Sequence, residues 1–193
     1  MARKKVITRK QILDAAYDIV KSCGFTKLTA RHIAEQMHCS TQPIYLEFKN
    51  MADLKHDIYL KIEKELEGWL IRKEPYDEDP VVSLCVGYIE FATVETSLYR
   101  TLSVDNFGSS SAFKSFIYHQ LDQAMLKSHQ YDQFDTEEKR KALISVLWMM
   151  TTGLASAVTC GLVPHDVEKI IHILNSIIRC MKQGHTSMNI FEV

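Results

Sequence analysis

The side chains with the clearest chemistry lie close together in one short stretch of this 193-residue chain. Gln42 carries an amide that can both donate to and accept from the edge of adenine, and Pro43 offers an apolar surface to a thymine methyl group. Tyr45 and Lys49 carry hydroxyl and ammonium groups of the kind that contact backbone phosphates. With Thr41 beside them, these residue types predict a surface that reads a nucleic-acid duplex.

The elements that must position these side chains are short helices near the start of the chain. Apolar residues recur with helical spacing after Thr8, which predicts a first helix that ends before Gly24. Thr29 and Ser40 are suitable N-caps for two further short helices, and Pro43 falls in the first turn of the second of them. Two helices joined by so tight a turn form a helix-turn-helix, whose second helix enters the major groove.

Charge is distributed unevenly along the chain. Residues 1–56 carry ten Lys and Arg against five Asp and Glu, whereas residues 57–193 carry thirteen against nineteen. Residues 1–56, called the head here, are therefore basic, and residues 57–193 are acidic. This distribution favours a polyanionic partner for the head. We expect the first basic residues to form a mobile arm that neutralises phosphates. They are Arg3, Lys4, Lys5, Arg9 and Lys10.

The head resembles the DNA-binding domain of the TetR family of bacterial transcriptional regulators. The resemblance covers about residues 8–56, and its anchor positions keep the family spacing. These positions are Ala15-Ala16, Gly24-Phe25, Thr29 to Ala34, Ser40 to Met51 and Leu54. The sequence departs from the family in the turn, where His38 replaces a frequent glycine, and in Leu46-Glu47, where an aromatic or basic pair is common. These departures do not change the expected fold, but because of them the operator sequence cannot be inferred from the family.

The resemblance implies an all-α protein with a helix-turn-helix DNA-binding domain at residues 1–56 and a regulatory and dimerisation domain at residues 57–193. It implies a homodimeric repressor that binds a palindromic operator in double-stranded DNA and is released by a small apolar or amphipathic effector. Thr29, Tyr45 and Lys49 would contact phosphates. The full set of candidate DNA-binding residues is Thr29, Arg31, Ser40, Thr41, Gln42, Pro43, Tyr45, Leu46 and Lys49.

Residues 57–193 read as further amphipathic helices with aromatic and flexible side chains in their middle part. Such side chains, with a few polar neighbours, could line an effector pocket, although aromatic residues at helical spacing also form ordinary cores. The candidates are Trp69, Tyr88, Phe91, Phe107, Phe113, Phe116, His119, Trp148, Met149 and Thr152.

The last two predicted helices could pair with a second copy of the chain. One carries three small residues spaced four apart, and the other carries an aliphatic stripe, a combination that suits a four-helix bundle across a two-fold axis. The candidate interface residues are Gly153, Ala157, Gly161, Ile170, Leu174, Ile177 and Ile178.

Other classes of function find little support in the sequence. It contains no nucleophile elbow, phosphate-binding loop, dinucleotide fingerprint or paired-carboxylate motif, so no enzymatic activity or cofactor is expected. Its cysteines and histidines lack metal-site spacing. The uncharged run Ala142 to Val163 is long enough to span a bilayer, but polar residues interrupt it and it stands alone, so we expect a cytoplasmic protein without a membrane partner. An activator remains an alternative to a repressor.

Overall fold

The computed structural model describes residues 7–103 and 110–183, and these residues form nine α-helices and no β-strand. The helices are α1 (Arg9–Cys23), α2 (Ala30–Gln36), α3 (Gln42–Glu47), α4 (Met51–Leu70), α5 (Pro80–Val94), α6 (Thr96–Ser103), α7 (Ser110–Leu126), α8 (Glu137–Thr159) and α9 (Val167–Lys182). The expectation of an all-α fold is therefore confirmed.

Polar side chains mark the start of the first two helices. Thr8 and Gln11 form a capping box at α1, in which each side chain accepts a hydrogen bond from the main chain of the other. Thr29 Oγ1 accepts a hydrogen bond from the N–H of His32 at 3.1 Å at the start of α2. Such caps satisfy N–H groups that the first turn of a helix leaves unpaired, so both helices begin where the sequence supplies the caps.

The chain divides into two compact units, and the first combines Met1–Leu66 with Glu95–Ser110. It holds α1, α2, α3, most of α4, and α6, which packs against α1. Lys21 Nζ of α1 lies 2.7 Å from Glu95 Oε1 and 3.6 Å from Glu65 Oε1. This unit is larger than the domain predicted from the sequence, because contacts between residues far apart in the chain add α6 and part of α4 to it.

The second unit combines Glu67–Val94 with Ser111–Val193 and is organised around α5, which packs against α8 and α9. Gly87 allows α5 to lie directly against the end of α4. A Cβ atom at Gly87 would overlap the main-chain oxygen of Trp69 and would lie 3.4 Å from Cα of Leu70. Because main-chain atoms cannot move aside as a side chain can, this crossing requires a glycine.

The first turn of α5 is held by the buried carboxylate of Asp79. Its oxygens accept hydrogen bonds from the N–H of Val81 at 2.9 Å and from the hydroxyl of Tyr131 at 2.7 Å. Burial, and then this carboxylate, raise the pKa of the Tyr131 phenol well above its ordinary value, so the phenol remains a hydrogen-bond donor. Pro80 follows at the first helical position, where a missing N–H costs nothing.

Helix α8 is long and apolar enough to cross a bilayer by length and composition. In the structure six of its residues are buried, and it packs against α5 and α9. The buried residues are Leu143, Ile144, Leu147, Thr151, Ala155 and Val158.

Candidate nucleic-acid interface

The turn between α2 and α3 is tight and depends on one residue in the left-handed region. His38 has φ of 52°, and its N–H bonds to the carbonyl of Glu35 at 3.2 Å. The next N–H, that of Cys39, bonds to the carbonyl of Ala34 at 2.9 Å. A non-glycine residue rarely adopts such a φ, so His38 meets at some energetic cost a requirement that glycine would meet freely.

Helix α3 has one face fixed in the core and one face open. Ile44 and Phe48 are each 1% exposed, and both lie in the apolar core of the first unit. By contrast, Tyr45 is 56% exposed and Leu46 is 77% exposed. Gln42 is also exposed, so the outward face carries the side chains expected to read bases.

The remaining candidate contacts surround this outward face. Lys49 and Ser40 are exposed, while Thr41 and Pro43 are half-buried. Ser40 was expected to be the N-cap of α3, but the structure places Thr41 at that position. The helix begins at Gln42 after Thr41, and the Thr41 side chain makes no capping hydrogen bond. The hydroxyls of Ser40 and Thr41 are therefore not needed to cap the helix.

Two candidates on α2 have different surroundings. Thr29 is exposed, and its oxygen already accepts the capping bond from His32, but its hydroxyl hydrogen can still be donated to a phosphate. Arg31 is largely exposed and pairs with Glu35 one turn later, with Nε 2.8 Å from Oε1. Such an exposed pair contributes little to stability and leaves the guanidinium close to the surface.

Arg9 is the main functional candidate that sequence reasoning placed wrongly. It was expected in a mobile basic arm, yet it is the first residue of α1, and its guanidinium is engaged. Nη2 lies 2.9 Å from Asp57 Oδ2, Nη1 donates to the carbonyl of Glu47, and Cζ lies 3.9 Å from the centroid of the Phe48 ring. The placement of Arg9 one residue after the Thr8 cap is the sequence feature that could have located it in a helix. Arg3, Lys4 and Lys5 lie outside the described residues.

A small cavity lies inside the second unit, among α4, α5, α7 and α8. Its volume is about 10 Å³, which is room for one water at most. Tyr88 and Trp148, two of the predicted pocket residues, line it with ring centroids 4.8 Å apart. The other lining residues are Leu70, Leu84, Cys85, Ile117, Gln120, Leu121 and Thr151.

Most of the predicted pocket residues lie elsewhere. Phe91 is fully buried and His119 is exposed, and neither is among the residues that line the cavity. Met149 is also exposed, because it lies on the open side of α8. Trp69, Phe116 and Thr152 are half-buried outside the cavity lining. Phe107 and the side chain of Phe113 lie outside the described part of the chain.

Two polar residues of the cavity, Thr151 and Cys85, were not predicted as pocket residues. Thr151 is buried, and among the described residues its hydroxyl has no hydrogen-bond partner. Burial raises the pKa of the Cys85 thiol from 9.0 to about 11, and the neighbouring Thr151 hydroxyl offsets only part of this shift. No charged side chain is among the described residues that line the cavity, so its interior suits a neutral, mainly apolar group.

The predicted interface residues divide into two groups. Gly153 and Gly161 are exposed, and Ala157 and Ile177 are half-buried, so these four remain accessible. The other three are at most 3% exposed inside the protomer, so their side chains cannot meet a second copy; they are Ile170, Leu174 and Ile178. The aliphatic stripe of α9 was misassigned because its strongest apolar face packs against α5 and α8 of the same chain.

Within residues 7–103 and 110–183, no three side chains of His, Cys, Asp or Glu come together as a metal site. The five cysteines are unpaired thiols, and Cys85 is the buried one.

Comparison with known proteins shows what this fold is similar to. No protein-family model matches the chain. A solved TetR-like transcriptional regulator from Rhodococcus sp. RHA1 superposes with a TM-score of 0.63 at 15% identity, over 94% of this chain and 99% of the other. The chain has the fold of the TetR-like regulators. FadR, a transcriptional regulator from Bacillus subtilis solved in complex with stearoyl-CoA, superposes with a TM-score of 0.59 at 16% identity, over 89% of this chain and 96% of the other.

A protein that is similar in sequence is also named as a transcriptional regulator. An uncharacterized HTH-type transcriptional regulator of Haemophilus influenzae is 24% identical, over 76% of this chain and 77% of its own length. These relatives are transcriptional regulators and not enzymes, which agrees with the expectation of a non-enzymatic protein.

Proposed function

We propose that the protein is a DNA-binding transcriptional regulator that reads its operator with α3. The observation that carries this proposal is the division of α3 into a face locked in the core by Ile44 and Phe48 and an open face with Tyr45 and Leu46. A helix held on one side can present its other side in the major groove with a defined register. The relatives named as regulators support the same function.

Each exposed group has a chemical role in this proposal. Gln42 pairs with the edge of adenine, while Pro43 and Leu46 make apolar contact with base methyl groups. Tyr45, Lys49 and Thr29 donate to phosphates on either side of the groove and fix the register. Arg31 and the hydroxyls of Ser40 and Thr41 are further donors at the same surface.

The regulator acts as a homodimer on a palindromic operator. Gly153 and Ala157 lie on the accessible side of α8, and the exposed Met149 and Met150 lie beside them. None of the residues that the structure describes comes within 4 Å of a Cβ built at Gly153, so the backbone of a second helix can approach closely there. Two-fold pairing through this face presents two copies of α3 to half-sites about one helical turn apart.

The protein represses transcription until a small apolar or amphipathic effector releases it from DNA. The cavity around Tyr88 and Trp148 is the place for the apolar part of the effector, and the buried Thr151 hydroxyl, which neighbours the Cys85 thiol, would bind its polar group. Because the cavity holds one water at most, it must open, and an effector acts by favouring that open form. FadR of the same fold was solved with stearoyl-CoA, so stearoyl-CoA and stearyl alcohol are suitable first probes. Release of bound DNA by either compound supports the proposal, and tight DNA binding unaffected by any amphiphile contradicts it.

The direct test of DNA binding is selection from a random-sequence duplex library with the full-length protein in a cytoplasm-like buffer. We expect enrichment of a palindrome that binds with a dissociation constant of about 10⁻⁸ M or below at physiological salt. If no sequence is enriched and all duplexes bind equally weakly, the proposed function is wrong.

A further inference from the structure

Arg9 joins three helices at the back of the predicted recognition helix. Its Nη1 donates to the carbonyl of Glu47, the last residue of α3, and its guanidinium stacks on Phe48, with Cζ 3.9 Å from the ring centroid. On α4, Asp57 Oδ2 accepts from both Nη2 at 2.9 Å and Nε at 3.2 Å. Asp53 Oδ2 lies 3.7 Å from Nη2.

We propose that Arg9 is a positioning residue, which fixes the orientation of α3 and thereby determines base specificity rather than overall attraction to DNA. The inference rests on the proposed function, because it assigns a role within the same DNA-reading surface. It replaces the expectation, drawn from the sequence, that Arg9 neutralises a phosphate from a mobile arm.

The orientation of α3 depends on outside support because the helix has only six residues. A helix of this length is unstable by itself, so tertiary contacts decide its direction. Ile44 and Phe48 bury one face but leave the carbonyls of the last turn to be satisfied. Arg9 satisfies one of these carbonyls and places a positive charge at the negative end of the helix.

The shape of the guanidinium is essential to this arrangement. It is planar, donates in several fixed directions and stacks on an aromatic ring, so one side chain can serve Glu47, Phe48 and Asp57 together. A lysine at this position keeps the positive charge but has neither the fork of donors nor the flat face. Arg9→Lys therefore separates the geometric role from the electrostatic role.

The charge of Arg9 is already compensated within the protein. Asp57 accepts two hydrogen bonds from the guanidinium, and Asp53 lies nearby. A cation paired in this way releases few counterions from DNA, so its loss should leave the salt dependence of binding almost unchanged. A cation that contacts phosphate contributes about 0.9 to the slope of log K against log salt for each contact.

The experiment measures the affinity of the full-length protein for a duplex enriched from the random library and for a scrambled duplex of equal length, at several salt concentrations. The variants are Arg9→Lys, Arg9→Met and Asp57→Asn, and Lys64→Met is the control because it removes an exposed positive charge from α4 at a position with no proposed DNA contact. Circular dichroism and thermal unfolding of each variant establish that it is folded.

We expect Arg9→Lys to lower the ratio of specific to nonspecific affinity by about tenfold. Arg9→Met, which removes the charge, should lower the ratio at least as much and keep the salt slope of the wild type. Asp57→Asn should also lower this ratio, although the loss of a negative charge alone would strengthen binding to any duplex. Lys64→Met should keep the ratio. The inference is overturned if Arg9→Lys retains the wild-type ratio, or if Asp57→Asn strengthens binding to both duplexes equally. Failure of the wild type to select any duplex would instead refute the proposed function.

Discussion

At the scale of single residues, the spacing of apolar side chains is sufficient to distinguish the two faces of α3. Ile44 and Phe48 are apolar and one helical turn apart, which predicts that they share one buried face, and both are buried. Tyr45 lies between them in sequence and is 56% exposed. The spacing of apolar residues correctly predicts which side chains of α3 are buried, because this helix has only six residues and its two faces are set by local sequence.

Tyr45→Ala tests the outward face directly. The substitution removes an exposed phenol, so we expect the affinity for the selected duplex to fall by about tenfold through loss of a phosphate contact in each half-site. The free energy of unfolding should change by no more than about 0.5 kcal/mol. The matched control is Leu126→Ala, at an equally exposed position of the second unit, 57% exposed. Equal affinities of Tyr45→Ala and wild type would contradict the proposed docking of α3.

The raised pKa of Cys85 gives a prediction of chemical reactivity. At pH 8 a thiol with a pKa of about 11 is ionised in only about one molecule in a thousand, and the thiolate is the reactive form. Pulse alkylation followed by mass spectrometry should therefore label exposed Cys23 rapidly and Cys85 very slowly, with Cys85 labelling rising as the pH approaches 11. If both cysteines are labelled at the same rate in folded protein at pH 8, the described burial of Cys85 is wrong.

The roles of Arg9 and Thr151 were beyond prediction from the sequence for a common reason. Arg9 acquires its role from Glu47 and Asp57, which are distant in the chain. Thr151 becomes notable only because its hydroxyl is buried beside a cavity. Helical periodicity specifies which side of a helix is apolar, but it does not specify which helix will pack there.

At the scale of helices, close approach of backbones explains the glycine at position 87. Gly87 permits α5 to pack against the end of α4 inside the second unit. No atom of the described residues lies within 4 Å of where a Cβ of Gly153 would stand, so none of them requires a glycine there. A helical glycine costs about 1 kcal/mol relative to alanine, and in the proposed dimer the second helix that packs on α8 would offset this cost at Gly153.

Gly87→Ala should destabilise the protein. The added methyl group overlaps the main-chain oxygen of Trp69, and relief of the overlap requires α4 and α5 to separate. We expect a loss of about 1–3 kcal/mol in the free energy of unfolding, measured by urea denaturation. Gly68→Ala is the control, because Gly68 lies in α4 with open space around it. This control should gain stability by up to about 1 kcal/mol. A similar gain for Gly87→Ala would exclude the close contact.

Gly153→Leu tests the proposed dimer through α8. The new side chain fits the isolated protomer but prevents another backbone from approaching, so the dimer dissociation constant should rise at least about tenfold in sedimentation experiments. Gly68→Leu makes the same change at an open position of α4 and should leave the dimer intact. Substitution of Leu174 or Ile178 is unsuitable for this purpose, because both are buried and their loss would disturb the protomer core. A Gly153→Leu protein that sediments as the wild type does would remove α8 from the interface.

At the scale of the whole molecule, the class of fold was predictable and the division into units was not. Helical periodicity throughout the chain and the scarcity of glycine and proline favoured an all-α protein. The expected boundary after residue 56 follows the end of the sequence motif. The compact units instead divide α4 after Leu66 and add α6 to the first unit, since Lys21 pairs with Glu95. Boundaries of this kind arise from contacts between distant segments and leave no local sign in the sequence.

The central claim is that two copies of α3 occupy the major groove of one duplex. Dimethyl sulfate protection on the selected duplex, combined with hydroxyl-radical footprinting, tests it most directly. We predict two patches of protected guanine N7 atoms, related by the dyad of the palindrome and centred about 10 base pairs apart or a multiple of that spacing, on one side of the helix. A single protected patch, or protection confined to adenine N3 in the minor groove, would contradict the account.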